Sequence, residues 1–239
     1  MKSRLGIVIL LLATHLAWGQ NTHFWDGIEN FDGPTDENPI LTSQIDFFFD
    51  KMVAPLPDSV EMEIDRLVER TGDNTNLRDF ILWHLLQRYS HPEYMSQDQV
   101  FVFLYDQYFS RLEIKDLNAN NLALIQEKAE RLRQLALFNI APELNGIIDL
   151  PSIESNYTVL FFYDHDCDLC QQERQDLDAV LWAHPEIQLV AIDLNTDDIR
   201  VDALYDLYDI ETTPLIYVLD KNKRIIAKKI RAEQIPLVL

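Results

Sequence analysis

A continuous apolar run that leads directly into two cysteines constrains this chain more than any other feature. The run YTVLFFY spans residues 157–163, and Cys167 and Cys170, the only cysteines of the sequence, follow it with C-x-x-C spacing. An unbroken stretch of apolar and β-branched residues is typical of a strand buried on both faces. A helical pattern begins around the cysteines and runs to Trp182. The sequence therefore predicts a strand-to-helix junction that carries two thiols.

The sequence after this junction continues to alternate strands and helices. A second apolar run, IQLVAID, precedes a shorter helix over DDIRVDALYDLYD. The strands LIYVLD and RIIAKKI then flank Lys221 and Asn222, and they predict a hairpin because asparagine tolerates a left-handed backbone. A short last helix is predicted in AEQIPLVL. The order β-α-β-α-β-β predicts an α/β domain with a mixed sheet, in which the crossovers make the core parallel.

The region from about Pro39 to Phe138 has helical periodicity instead. Five patterns follow one another along it: LTSQIDFFFDKM, VEMEIDRLV, NLRDFILWHLLQRY, VFVFLYDQYF and LALIQEKAERLRQL. They predict a helical domain of about 100 residues. The predicted fold class is thus an all-helical domain over residues 20–136 followed by an α/β domain over residues 137–239.

The first nineteen residues (1–19) have the pattern of a cleavable secretory signal peptide. MKSR is basic, a mostly apolar run follows, and Ala17 and Gly19 put small residues where a signal peptidase requires them. The sequence has no cysteine near this site to carry a lipid anchor, and no later apolar run long enough to span a bilayer. We therefore expect a mature protein that starts at Gln20, is periplasmic or otherwise secreted, and is not inserted in the membrane.

Charge and glycine content exclude several classes of partner. Removing Lys2 and Arg4 with the signal takes the formal net charge from −20 to −22, which makes nucleic acid and anionic membrane surfaces poor partners. The six glycines are scattered, whereas loops that cradle phosphate need clustered glycines. The sequence therefore indicates no nucleotide cofactor, and we predict no cofactor of any kind.

The spacing of the two cysteines favours redox chemistry. At a strand-to-helix junction the Cys167 sulfur lies at a helix N-terminus, where free N–H groups and the helix dipole stabilise a thiolate. Cys170 lies one turn further, so that it can resolve a mixed disulfide formed by Cys167. A structural staple would close a loop too short to stabilise the fold much, and a zinc site would need more ligands than the nearby His165 supplies. The prediction is a redox-active Cys167–Cys170 disulfide and no metal, with these two alternatives open.

Together with TTPLIYVLD, these residues resemble the thioredoxin superfamily and, within it, the secreted TlpA-like thiol-disulfide oxidoreductases, over about residues 139–239. The resemblance implies a thioredoxin-like fold in which Pro214 is cis and, with Thr213 before it, lies beside the C-x-x-C and holds the substrate backbone. CQQE resembles the CKKE of that family, which places Glu173 where a functional glutamate lies near the thiols. Glu173 would relay protons to Cys170, and the alternative is a solvated helix glutamate.

The resemblance has limits at both ends of the chain. Asp166 stands where thioredoxins keep a tryptophan, Phe161 where they keep a buried aspartate, and Gln175 where they keep a helix proline. The region from HFWDGIENFDG to about residue 136 resembles a helical domain of unknown function that precedes TlpA-like modules in secreted proteins of Gram-negative bacteria. That second resemblance implies no activity.

Carboxylates around the cysteines affect the expected direction of the reaction. Asp164, Asp166 and Asp168 should raise the pKa of Cys167 against the helix N-terminus, and a less stabilised thiolate means a more reducing pair. His165, if protonated, would lower that pKa, although a loop histidine is more often a plain surface residue. We expect a reductase or isomerase that acts on disulfide-bearing proteins and takes electrons from a membrane or periplasmic donor. The alternative is a non-catalytic interaction protein whose helical domain binds a partner.

Overall fold

The computed structural model describes residues 24–27, 38–92, 94–144 and 146–239, so the predicted signal peptide lies outside the described residues. The chain forms two compact units, one up to Ser90 and one from His91 to Leu239. The boundary predicted at residues 136/137 thus falls inside the second unit. Within the described residues no helix has both the length and the apolar character needed to cross a membrane.

The first unit contains a short 3-10 segment and the first three predicted helices. Their bounds are Phe24–Gly27 for the segment, Pro39–Lys51 for α1, Pro57–Arg70 for α2 and Thr75–Ser90 for α3. The Asn38 side chain caps α1 by accepting the Leu41 N–H at 3.0 Å. The chain leaves α2 through Gly72, whose left-handed φ of +52° favours glycine. The apolar stripes of the three helices form the core of this unit.

The second unit begins with the other two predicted helices and continues into the sheet. Its helices are Asp98–Leu104 for α4, extended by a π-helical turn over Tyr105–Phe109, Ala119–Gln134 for α5, Asp168–Ala183 for α6 and Ile199–Leu207 for α7. Its strands are Tyr157–Tyr163 for β1, Ile187–Asp193 for β2, Leu215–Asp220 for β3 and Ile225–Lys228 for β4. Two 3-10 segments complete it, Leu150–Ser152 and Ala232–Leu237. This is the predicted order of elements.

The four strands form one mixed sheet in the order β2-β1-β3-β4. β1 and β2 are parallel, whereas β3 is antiparallel to β1 and to β4. The mixed sheet is confirmed, but the expected parallel core is wrong, because only one pair of strands is parallel. The reason is that β3 starts opposite Phe162, at the sheet end where β1 and β2 finish. The chain therefore leaves β2 and, after α7, enters β3 at the same end of the sheet.

Two apolar layers cover the two faces of this sheet. One face packs against α7, and its members include Leu160, Phe162, Leu204, Tyr208 and Tyr217. The other face packs against α6 and the C-terminal 3-10 segment, and its members include Val159, Phe161, Leu177, Ile216 and Ile235. The five central residues of β1 are all buried, which confirms the prediction of a strand covered on both sides.

Residues 138–141 cover the outer edge of the sheet at residues 223–225, where β4 begins. The Phe138 N–H donates to the Ile225 carbonyl at 2.8 Å, and the Ile225 N–H donates to the Asn139 carbonyl at 2.9 Å. The Ala141 N–H donates to the carbonyl of residue 223 at 2.8 Å. These bonds satisfy backbone groups that a strand at the end of a sheet would otherwise present to other chains.

A buried ion pair joins α4 to β4. The Lys228 ammonium contacts the Asp98 carboxylate, and their side chains are only 1% and 2% exposed. The same ammonium donates to the Leu135 carbonyl at 2.5 Å. Burial lowers the pKa of Lys228, although the Asp98 carboxylate works against that shift. The first residue of α4 and the end of α5 are thus tied to the sheet.

Candidate active site

Cys167 occupies the N-cap position of α6. Its backbone is extended, with φ of −92° and ψ of 114°, and its Sγ accepts the Cys170 N–H at 3.1 Å. The sulfur thus takes the role that a serine or aspartate oxygen usually has in capping the first turn of a helix. Cys167 is half-buried and Cys170 is 1% exposed, and both thiols are free. One sulfur is therefore accessible and the other is enclosed.

The two thiols differ in acidity as well as in exposure. The Cys170 thiol hydrogen bond lowers the pKa of Cys167 most, and backbone N–H groups of Cys170 and Leu169 and the Thr213 hydroxyl lower it further. Burial raises the pKa of Cys170. Because the thiolate is the nucleophile, Cys167 is the more reactive of the two near neutral pH.

The loop that precedes β3 places Thr213 beside both sulfurs. The Thr213–Pro214 peptide bond is cis, as the resemblance implied. The Thr213 hydroxyl lies close enough to both sulfurs to lower the pKa of Cys167 and of Cys170. Since β3 begins at the sheet end where β1 finishes, the antiparallel placement of β3 brings this loop to the cysteines. The structure thus assembles the predicted pair Thr213 and Pro214 with the predicted pair of thiols.

The polar groups near the thiols bond within the cysteine loop and to residues at and after the end of β2. Asp164 Oδ1 accepts the Asp166 N–H at 2.8 Å and the Asn195 side-chain N–H at 3.1 Å, and these bonds lower the pKa of Asp164. His165 Nδ1 lies 2.7 Å from an Asp193 carboxylate oxygen, a hydrogen bond that raises the pKa of the histidine. In the described part of the chain no group of three or more His, Cys, Asp or Glu side chains could hold a metal ion.

The hydrogen bonds at Cys167 act against the effect expected of the nearby acids. Asp164, Asp166 and Asp168 were expected to raise the pKa of Cys167 in opposition to the helix N-terminus. The pKa of Cys167 is lowered, most by the hydrogen bond of the Cys170 thiol and further by the N–H groups of the helix cap and by Thr213, so these bonds outweigh any opposing effect of the acids.

Glu173 lies on the same buried face of α6 as Cys170 and is only 1% exposed, so the alternative of a solvated glutamate is wrong. Its Oε1 accepts the Ala232 N–H at 2.5 Å. Arg231 Nε lies 2.7 Å from Oε2 but is not aligned to donate a hydrogen bond, so this contact is an ion pair only. The carboxylate thus ties α6 to the C-terminal segment, and its role in proton relay stays a prediction.

Solved structures with the same arrangement of elements are known. A thioredoxin-like protein from Bacteroides caccae is similar over 92% of this chain and 90% of its own length, with a TM-score of 0.70 and 14% sequence identity. This chain has the thioredoxin-like fold. The predicted thioredoxin-like fold is thereby confirmed.

Two shorter structures are similar to the thioredoxin-like part of the chain. One is a domain of a possible thiol-disulfide isomerase from Cytophaga hutchinsonii, with 31% identity, coverage of 43% of this chain and 89% of its own, and a TM-score of 0.36. The other is the thioredoxin domain of a thiol-disulfide oxidoreductase from Bacteroides vulgatus, with 18% identity, coverage of 44% and 99%, and a TM-score of 0.38. No protein-family model and no curated protein matches the chain.

Sequence reasoning missed two residues of the thioredoxin-like site. Leu169 lies between the cysteines and is 50% exposed, so it offers an apolar contact beside the nucleophile. Asn195 donates to both Asp164 and Asp166 and joins the loop after β2 to the cysteine loop. A polar residue two positions after the end of β2 was the available signal for Asn195, because the ends of parallel strands meet at one edge of a sheet.

Proposed function

We propose that the chain is a thiol-disulfide oxidoreductase that reduces or isomerises protein disulfides through Cys167 and Cys170. The asymmetry of the pair carries this proposal. Cys167 is half-buried, caps the helix and has a lowered pKa, whereas Cys170 is 1% exposed and has a raised pKa. An accessible thiolate beside a protected thiol separates attack on a disulfide from resolution of the intermediate.

The reaction in the reducing direction is a two-electron exchange. The Cys167 thiolate attacks one sulfur of the substrate disulfide, which forms a mixed disulfide and releases the other substrate sulfur as a thiolate. Cys170 then loses its proton and attacks the Cys167 sulfur, which releases the second substrate thiolate. The substrate gains two electrons and, once its thiolates are protonated, two protons, and the enzyme is left with the Cys167–Cys170 disulfide. In isomerisation the released substrate thiolate attacks the mixed disulfide instead, so that no net electrons are transferred.

The site of action follows from the N-terminal sequence pattern. The basic start, the apolar run and the small residues before Gln20 favour a secreted or periplasmic protein, where substrate disulfides persist. A membrane or periplasmic dithiol protein would return the enzyme disulfide to its two thiols. The strongly negative formal charge of −20 for the whole chain favours substrates that are not themselves acidic.

Reduction of insulin disulfides with dithiothreitol as the electron source tests the proposal. The wild-type protein should accelerate the reaction, and Cys167→Ser should abolish the acceleration because no other thiolate can attack first. Cys170→Ser should accumulate mixed disulfides with substrate proteins, because the resolving thiol is missing. A wild-type protein that neither reduces insulin nor rearranges scrambled disulfides would favour the non-catalytic interaction protein instead.

A further inference from the structure

The loop 208–214, which connects α7 to β3 and carries Thr213 to the thiols, is held by residues outside these two elements. Asp209 lies at its start, 3% exposed and with a left-handed φ of +50°. Its carboxylate accepts hydrogen bonds from Lys229 Nζ at 2.8 Å and from Arg131 Nε at 3.2 Å. Arg131 belongs to α5, which precedes the sheet by more than twenty residues. Arg131 of α5 therefore contacts this loop at the buried carboxylate of Asp209.

A second contact lies nearer to the thiols. Glu211 stands two residues before Thr213, and Lys128 Nζ lies 2.5 Å from its Oε1. The Lys128 side chain is only 15% exposed, and its ammonium lies 5.8 Å from the centre of the Phe101 ring. The Lys128 stem is thus confined between α4 and α5, whereas a lysine on an open surface would sample many rotamers. His91 Nε2 lies 2.8 Å from the other oxygen of Glu211.

Lys128 and Arg131 are three residues apart, so they lie on one face of α5. We propose that this face is a positioning element for the redox site, in which Lys128 and Arg131 hold the loop 208–214 so that the Thr213 hydroxyl stays on both sulfurs. The catalytic consequence rests on the proposed oxidoreductase function, whereas the effect on the thiols does not. The helices that precede the sheet would then tune the chemistry of the cysteines as well as stabilise the fold.

The expected effect of losing Lys128 has a defined sign. Without Lys128, Glu211 keeps its contact with His91 but loses the shorter ion pair, so the loop is held less firmly and the Thr213 hydroxyl spends less time beside the sulfurs. That hydroxyl contributes to the lowered pKa of Cys167, after the Cys170 thiol and the backbone N–H groups. Loss of its hydrogen bond therefore raises the pKa of Cys167. The nucleophile becomes less ionised at neutral pH and reacts more slowly.

The test reads the apparent pKa of Cys167 from the pH dependence of its alkylation rate, resolved by mass spectrometry. Lys128→Met removes the charge and keeps a side chain of similar length next to Phe101. Thr213→Val measures how far the pKa of Cys167 shifts when the hydroxyl is lost completely. We expect Lys128→Met to raise the pKa of Cys167 by less than Thr213→Val does. The double variant Lys128→Met with Thr213→Val should have the same pKa of Cys167 as Thr213→Val alone. The charge exchange Lys128→Glu with Glu211→Lys should restore most of the wild-type value.

The matched control is Arg133→Ala, on the same helix. Arg133 pairs with Asp106 at 2.7 Å, away from the loop, so its loss should leave the pKa of Cys167 unchanged. In the insulin assay Lys128→Met should lower kcat/KM about two- to fivefold, the size of effect one ion pair supplies.

Two results would overturn the inference. The first is that Lys128→Met leaves the pKa of Cys167 unchanged, as Arg133→Ala should. The second is that Lys128→Met raises the pKa of Cys167 further in a protein that already carries Thr213→Val, which would indicate a direct effect of the lysine charge and no positioning. A wild-type protein without disulfide chemistry would end the proposed function, but the alkylation measurements would still decide this inference.

Discussion

Replacing Lys228 with methionine should cost the second unit about 3–5 kcal/mol of unfolding free energy. The size follows from burial, because Lys228 and Asp98 have side chains that are 1% and 2% exposed. Methionine fills most of the space of the lysine stem, so little cavity is created. What remains is an Asp98 carboxylate without its cation and a Leu135 carbonyl without the donor now 2.5 Å away. Water cannot reach either group to replace the lost bonds.

The double variant separates the pair from its surroundings. Lys228→Met with Asp98→Leu removes both charges, and an apolar replacement of a buried ion pair is often neutral or stabilising. We therefore expect the double variant to recover most of the stability that the single variant loses. As a control, Arg133→Ala breaks an exposed pair, with side chains 46% and 48% accessible, and should cost less than about 1 kcal/mol.

The assay needs a probe that belongs to the second unit, because a chain of two compact units need not unfold in one step. Cys170 serves as that probe, since a thiol that is 1% exposed is alkylated only when its surroundings open. Pulsed alkylation along a urea series, read by mass spectrometry, gives the unfolding free energy of this unit. A loss below about 1 kcal/mol for Lys228→Met, or a double variant no better than the single, would refute the reasoning.

Three further predictions concern the thiols and the acids around them. Cys167 should be alkylated well before Cys170 in the folded reduced protein, with a rate profile centred below the pKa of an ordinary thiol; faster labelling of Cys170 would contradict the assignment. Burial opposes ionisation of Asp209 but a neighbouring lysine holds its pKa below 3.8, so stability should fall as the pH drops below that value. Asp209→Asn should cost about 2 kcal/mol at neutral pH and weaken this acid dependence in urea titrations. Asp166→Asn with Asp168→Asn should leave the alkylation profile of Cys167 unchanged, and a clear downward shift would show that the acids do act on the thiol.

Much of the fold could be predicted because its signals are local. The unbroken run of β1 required cover on both faces, and five helical stripes corresponded to five helices. The hairpin was also predictable, although the residue with left-handed backbone is Lys223, with φ of 61°, and not Asn222. The position of Thr213 beside the thiols followed from the resemblance to thioredoxins, since nothing in the local sequence brings the two segments together.

Features formed by distant residues could not be predicted. Lys228 contacts Asp98 across 130 positions of sequence, and within RIIAKKI it has the pattern of a solvent-facing charge. Contacts of this kind also tie α4 and α5 to the sheet within the second unit. The relative size of the two opposing effects on the pKa of Cys167, that of the acids and that of the helix N-terminus, could not be predicted either. Charges can be counted in a sequence, whereas hydrogen-bond directions exist only after folding.

The cover over the outer edge of β4 sets a limit on where the chain can be shortened. A protein that begins at residue 142 would lose the three backbone bonds that residues 138–141 make with Lys223 and Ile225. Its exposed strand would then offer the same row of donors and acceptors to every other copy in solution. Such a fragment should self-associate with increasing concentration, and restoring residues 138–141 should reduce the self-association without abolishing it, because Lys228 would still lack Asp98 and the Leu135 carbonyl.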